Sequence, residues 1–238
     1  LNAISLLILF YLVTILGMEP ALAGLLVFLG KIYDMITDPL MGIISDRTRS
    51  RFGRRRPWLL AGGLISALSM VMLFTPTNLD GGLLVGYIVA ALLLYATGYT
   101  MFNVPYLAMP AEMTTDPFER SRLMSFRVVF ASIGILIGAA AAPVLIDWLG
   151  GGATGFARMS WVVGAIILFA TLTCFATTGN ARHTEQTDTR ESVREQLRTA
   201  AQNRPFMIRI LSKLMQLIGV ASTLSALLFL VTVFLRRP

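Results

Sequence analysis

Three ionisable residues interrupt a long apolar stretch near the start of the chain: Lys31, Asp34 and Asp38. On a helix, their spacing places all three side chains on one face. Two carboxylates one turn apart can bind Na⁺, or can share one proton, since close like charges disfavour ionising both. The residues therefore predict a site for a monovalent cation, with Asp34 and Asp38 as its ligands. The alternative is a charge-neutral cluster in which Lys31 and a partner from another helix only balance the acids.

The apolar stretch around these charges is long enough to cross a bilayer, which takes about 20 residues. Asp34 lies near its middle, where a charge costs about 2.5–3.5 kcal/mol on insertion scales and usually faces a cavity or a partner. Pro39 lacks a backbone N–H and leaves the Met35 carbonyl without its helical partner. The sequence thus predicts a cation site in the middle of a membrane.

A second set of polar residues lies within a later apolar span. Tyr95, Tyr99 and Asn103 recur at every fourth position, so their rings and hydrogen-bonding groups share one helix face, as a sugar site would require. A tyrosine stripe also suits plain helix packing. Arg127, expected in the first turns of the next span, could pair with an acid in the cavity or extend to the interface. Together with Lys31, these are the candidate substrate-binding residues.

The composition is that of an all-α transmembrane protein. Hydrophobic residues make up 55% of the chain, mean hydropathy is +0.71 and charged residues are only 14%, against about 25% in soluble domains. One Cys and one His exclude a Cys/His zinc cluster, and the sequence shows no nucleophile–base constellation, so we expect neither an enzyme nor a cofactor. The net charge of +7 is concentrated between apolar spans, which favours a topology signal over nucleic-acid binding.

Seven apolar spans are predicted to cross the bilayer. They are Asn2–Leu16, Ala21–Ser45, Pro57–Thr75, Gly82–Met109, Leu123–Leu149, Phe156–Thr178 and Phe206–Leu235. Pro105 and Pro110 should kink or end the fourth span. In the fifth span, Gly134, Gly138 and Ala142 form a small-residue stripe that predicts close helix approach.

Arginines are concentrated in alternate connections, which the positive-inside rule places in the cytoplasm together with the N-terminus. We expect a bacterial cytoplasmic membrane protein with a six-helix half at 1–178, a cytoplasmic linker at 179–205, and the first helix of a second half at 206–238. The chain opens in apolar sequence and its odd helix count ends on Arg236 and Arg237, so we expect it to be part of a longer transporter.

The stretch from Asp34 to Trp58, DMITDPLMGIISDRTRSRFGRRRPW, resembles the signature of the glycoside–pentoside–hexuronide:cation symporters of the major facilitator superfamily. The segments Tyr99–Tyr106 and Glu119–Ser132 fit the same family. The resemblance implies a twelve-helix transporter with its sites between two six-helix halves. It also implies a role for Asp34 and Asp38 at the cation, for the basic residue Lys31, and for Tyr99 at the substrate.

The loop from Gly42 to Arg56 resembles the superfamily's cytoplasmic loop motif, in which Asp and Arg pair across helices to hold the outward-facing state. The residues that carry it are Gly42, Asp46, Arg47, Gly53 and Arg54. A cluster that only fixes topology is the alternative. The chain departs from the galactoside-binding pattern of the family, because Asn103 and Val128 stand where an aspartate and an arginine contact sugar.

These residues predict a symporter that couples Na⁺ or H⁺ to a sugar or glycoside by alternating access. Its expected partners are the small-molecule substrate, a monovalent cation and the lipid bilayer, and not nucleic acid. Two alternatives stay open: a carrier of a non-sugar amphiphile such as a lysolipid, and a truncated membrane scaffold that transports nothing.

Overall fold

The computed structural model describes residues 7–75 and 79–180, together with 202–205, 207–208, 211–212, 215–216 and 219. The first helical segment, α1, holds residues 7–10 and continues as a π-helical segment, Tyr11–Ile15. Five longer helices follow: α2 (Pro20–Arg47), α3 (Arg56–Phe74), α4 (Gly81–Met113), α5 (Pro117–Trp148) and α6 (Gly152–Thr177). All five are long and apolar enough to cross a membrane. The described part of the chain contains no strand.

The contacts divide the chain into two units, Leu1–Glu185 and Gln186–Pro238. Helices α1 to α6 belong to the first unit. The predicted seventh span and the linker fall mostly outside the described residues, but those described at 207–208, 211–212, 215–216 and 219 are helical. The predicted boundaries of the halves and linker stay predictions.

Helices α2 to α6 follow from the apolar composition, since a backbone in hydrocarbon must satisfy its own polar groups. Three boundaries differ from the predicted ones by four residues or more, and one of them is the start of α6, at Gly152 instead of Phe156. Helix α4 runs through both prolines to Met113 instead of ending near Met109. Helix α5 begins at Pro117, six residues before the predicted Leu123, because the Asp116 side chain accepts a hydrogen bond from the Phe118 amide and caps it.

Helix α3 packs against both α4 and α6, while α2 packs on α4 and α5 packs on α6. Glycines allow the closest crossings. A Cβ atom on Gly62 would lie 2.5 Å from the Phe102 backbone nitrogen, and one on Gly98 would lie 2.7 Å from the Ser66 backbone nitrogen. A Cβ atom on Gly63 would instead collide with the Thr171 side chain. The backbones of α3 and α4 therefore touch.

The small-residue stripe of α5 contacts none of the described helices closely, so the close approach it predicts stays a prediction. Gly134 and Gly138 have open space where a Cβ atom would stand, so among the described helices no close approach occurs there. The apolar core lies elsewhere, at the end of the bundle away from the arginine-rich loop. There the rings of Tyr11, Phe74 and Phe156 pack with centroids 5.0 to 5.7 Å apart.

Candidate functional site

The charged residues in the middle of α2 make few ion pairs and hydrogen bonds with the described residues. The Lys31 ammonium lies 3.5 Å from Oδ2 of Asp34, and the two side chains are 44% and 15% exposed. The second carboxylate oxygen of Asp34, Oδ1, is buried and accepts no hydrogen bond from the described residues. Buried polar atoms in proteins are nearly always paired. This orphaned oxygen therefore marks a place where a cation or a proton could bind.

Asp38 lies one turn further along α2 and has a different partner. The Thr100 hydroxyl of α4, which is buried, donates a 2.8 Å hydrogen bond to Oδ1 of Asp38. One turn towards the other end of both helices, the hydroxyls of Tyr33 and Thr97 lie 2.9 Å apart. These two contacts fix the acid-bearing face of α2 against α4. Two carboxylates and the Thr100 hydroxyl thus supply the oxygen ligands that a hard cation prefers.

Asp34 opens onto a cavity between α1, α2 and α4. It is lined by Ile8, Leu26, Val27, Gly30, Lys31, Asp34, Leu92, Tyr95, Ala96 and Tyr99. Its volume is about 30 Å³, enough for a water molecule or a desolvated ion. Small-molecule pockets usually measure about 300–1,000 Å³. A sugar would therefore need more space, and further protein surface around it, than this cavity provides.

The structure brings most of the predicted substrate residues to this cavity. Tyr95 is buried and Tyr99 half-buried, and both line the cavity beside Lys31. Residues from α2 and α4 thus face one another around a single cavity.

Two predicted substrate-binding residues, Asn103 and Arg127, lie outside the lining of this cavity. Asn103 is half-buried one turn beyond Tyr99 and does not line the described cavity. Arg127 stands about 15 Å along α5, in its third turn and not in its first turns as predicted, because the helix begins at Pro117. Its guanidinium lies 5.8 Å from the ring centroid of Tyr106. An arginine at this distance over an aromatic face is held by a cation–π contact.

A second charged cluster ties together the ends of α2, α3 and α4. Arg55 donates to Glu112 at 2.6 Å and to Asp46 at 2.8 Å. Arg54 lies 3.4 Å from Asp46 and 4.0 Å from Glu112. The Arg55 side chain is only 9% exposed. Two arginines and two acids therefore neutralise one another, and we call these four residues the end cluster.

Of the remaining predicted loop residues, Gly42 packs near the Val104 side chain, and Arg47 is exposed at the last turn of α2. Gly53 adopts φ +95° in a tight turn, a conformation that favours glycine. Next to the cluster, Arg56 donates to the Phe175 carbonyl at 2.5 Å and lies 4.5 Å from the Phe175 ring centroid. The loop is therefore fixed to α6 as well.

Three residues that the sequence did not single out take part in these sites: Thr100, Arg55 and Glu112. Thr100 follows Tyr99 directly, but nothing in its own neighbourhood distinguishes it from other hydroxyls in apolar spans. Glu112 gave a weak signal as an acid close to the end of an apolar span. Arg55 could not be told from its arginine neighbours, because only the folded chain selects which guanidinium is buried.

Comparison with known proteins gives one family. A family model described as "MFS/sugar transport protein" matches residues 1–238. The inner membrane symporter YicJ of Escherichia coli is 30% identical over 99% of this chain and 51% of its own length. The putative glycoside/cation symporter YagG of the same organism is 31% identical over 90% of this chain and 47% of its own.

A third relative has a different stated cargo. The sodium-dependent lysophosphatidylcholine symporter 1-B of Danio rerio is 30% identical over 55% of this chain and 25% of its own length. The chain spans about half the length of the two bacterial relatives it matches.

Proposed function

Since this chain belongs to the MFS/sugar transport protein family, we propose that it forms part of a symporter that couples Na⁺ or H⁺ to the transport of a sugar or glycoside. The family match confirms the predicted all-α bundle of the major facilitator superfamily and the resemblance to the glycoside–pentoside–hexuronide:cation symporters. Together with the five membrane-length helices, it makes the chain an integral membrane protein.

The observation that carries the cation role is the orphaned Asp34 oxygen in the middle of α2. A buried carboxylate oxygen without a donor is unfavourable unless a cation or proton occupies it part of the time. Asp38 offers a second carboxylate one turn away, and the Thr100 hydroxyl reaches it from α4. Asp34 and Asp38 are therefore the proposed cation ligands.

The substrate side of the proposed site uses the tyrosine face. Tyr95, Tyr99 and Lys31 line the cavity beside Asp34, while Arg127 approaches from α5 and Asn103 extends the same face of α4. Aromatic faces and hydrogen-bonding side chains suit a hydroxyl-rich ligand. Because the cavity is smaller than a sugar, the remaining contacts must come from further protein surface.

The end cluster is the proposed gate. It joins α2, α4 and the loop before α3, so these elements must move together at that end. In alternating access one side of the site closes while the other opens. A neutralised cluster of two arginines and two acids can hold that end in one of the two states.

Uptake measurements on the whole protein that contains this chain test the cation site. Asp38→Asn should abolish gradient-driven uptake of labelled sugars in proteoliposomes but leave some substrate exchange, because it removes a cation ligand and none of the side chains proposed to contact the substrate on the Tyr99 face. Asp34→Asn should behave likewise. Asp147→Asn, which neutralises an exposed acid at the far end of α5, is the matched control. Wild-type uptake with unchanged Na⁺ and H⁺ dependence in both site variants would show that these acids are only structural.

The same assay addresses the second candidate cargo. The similarity to a lysophosphatidylcholine symporter over about half of this chain favours an amphiphile as the alternative substrate. Labelled lysophosphatidylcholine should neither accumulate nor compete with the transported sugar if the carbohydrate proposal is right. Sodium-dependent lysolipid uptake without sugar uptake would replace it.

Membrane orientation follows from the arginines between α2 and α3. We infer a cytoplasmic N-terminus in a bacterial cytoplasmic membrane. In a Cys174→Ser background, a cysteine at Ser50 should react with an impermeant maleimide only from the cytoplasmic side, and one at Gly151 only from the outside. Labelling of both positions from one side would contradict the orientation.

A further inference from the structure

The pairing between Lys31 and Asp34 is loose. Charge-assisted N–H···O hydrogen bonds are usually about 2.7–2.9 Å long, whereas this pair is separated by 3.5 Å. The lysine side chain is 44% exposed, and partly solvated pairs of this kind contribute little to stability. The ammonium can therefore leave the carboxylate without a large loss to the fold.

The ammonium also lies at the same carboxylate as the proposed cation site: it faces Oδ2 of Asp34, next to the orphaned Oδ1. Among the described residues, Lys31 is the ion-pair partner of Asp34, and both line the same cavity. An ammonium and a bound monovalent cation carry the same charge and repel each other at this short range. One carboxylate cannot hold both at full strength.

We propose that Lys31 is a built-in competitor of the coupling cation. It holds Asp34 when the cation is absent, and the arriving cation displaces it into the cavity. This inference rests on the proposed function, because it presupposes that Asp34 binds the coupling ion. Lys31 thereby sets the cation concentration at which the transporter loads.

Displacement would also link the cation to the substrate. The released ammonium stays in the cavity that Tyr95 and Tyr99 line, and its three donors are then available to an oxygen-rich ligand. In this scheme, cation binding frees a hydrogen-bond donor for the substrate. Lys31 belongs to both sites in turn.

Cation titration of the purified whole protein tests the competition without a known substrate. Thermal stabilisation is followed against Na⁺ at fixed pH and constant ionic strength, and separately against protons in Na⁺-free buffer. In the titration to which the wild type responds, Lys31→Gln should lower the midpoint concentration about fivefold, as expected for losing a weak competing ion pair. Lys31→Arg keeps the charge and should stay within about twofold of the wild type.

Two further variants separate competition from other effects. Arg49→Gln removes an exposed loop charge and should leave the midpoint unchanged, which controls for net charge. In an Asp34→Asn background, Lys31→Gln should have no effect, because nothing is left to compete for.

The outcomes distinguish the two proposals. If Asp34→Asn abolishes the cation response but Lys31→Gln leaves the midpoint unchanged or raises it, the competitor role is wrong and the cation site stands. If the wild type responds to neither cation, or Asp34→Asn responds as the wild type does, then the cation site and the competitor role are both wrong.

Discussion

Helix α2 carries two groups of charged residues, and the two groups differ in how completely they are paired. At mid-helix, Asp34 has one loose ion pair and an oxygen without a donor. Eight residues after Asp38, about 12 Å along the helix, Asp46 belongs to the end cluster, in which Arg55 reaches both acids at 2.8 Å or less. Charged side chains that pair fully with one another stabilise the fold, whereas a charged side chain with few partners can bind a ligand.

The difference follows from the side chains each group uses. Arginine presents five donors in a rigid fork, which can satisfy two carboxylates at once. Lysine is a flexible point charge, and a threonine hydroxyl donates only once. The middle of α2 uses lysine and threonine, and the end cluster uses arginine. Neutralising an acid should therefore affect stability in the end cluster and ligand binding at mid-helix.

The largest effect is expected from Arg55→Ala. This substitution removes the Arg55 donor from both Asp46 and Glu112, and breaking such a pair costs about 3 kcal/mol when one charge loses its partner in a mostly buried setting. The melting temperature of the purified protein should fall clearly. Arg49→Ala, at an exposed loop position, should change stability by less than about 0.5 kcal/mol. Equal melting temperatures for the two variants would contradict the claim that the ion pairs of the end cluster stabilise the fold.

A smaller loss is expected from Glu112→Gln. The glutamine keeps the shape but loses the charge that accepts from Arg55, and hydrogen bonds to charged groups contribute about 1.5–3 kcal/mol. Asp46→Asn should be milder, below about 1 kcal/mol, since its side chain is 50% exposed. Denaturant or thermal unfolding of both variants checks the ranking. A reversed order would mean that burial does not govern this cluster.

At mid-helix the expected loss is in cation binding. Thr100→Val preserves shape but removes the hydroxyl beside Asp38, so the midpoint of the cation titration should rise about fivefold, equivalent to about 1 kcal/mol. Thr97→Val on the same helix removes a hydroxyl paired with Tyr33, and should leave the midpoint within about twofold. Equal shifts in both would indicate a general packing effect.

The smallest stability change is expected from Asp34→Asn. Its Oδ1 atom has no donor among the residues that the structure describes, so removing the charge in cation-free buffer should leave stability unchanged or raise it by up to about 1 kcal/mol. Melting temperatures without Na⁺ test this against Glu112→Gln. A loss as large as that of Glu112→Gln would place Asp34 among the architectural acids.

The sequence predicted the parts that depend on local composition. Apolar length alone located α2 to α6, and Asp34 and Asp38 were evident because charges inside such a span are expensive. The start of α5 was missed because Asp116 and Pro117 begin the helix in polar residues, before its apolar run. Pairing between distant elements could not be predicted either. Nothing near Glu112 points to Arg55, 57 residues earlier. Nor does the sequence show that the single glycines Gly62 and Gly98 lie at close helix crossings, while Gly134 and Gly138 have open space beside them.

The glycine crossings have a consequence for how this family can vary. At Gly62 and Gly98 the obstacle to a larger residue includes backbone atoms of the neighbouring helix, and no substitution in that helix can remove a backbone. A larger residue at either position therefore cannot be accommodated by a second substitution elsewhere. An alignment of homologues should show glycine at both positions, without covariation. At Gly63 the obstacle is the side chain of Thr171. A larger residue at position 63 could be accommodated by a smaller one at position 171, so the two positions should covary.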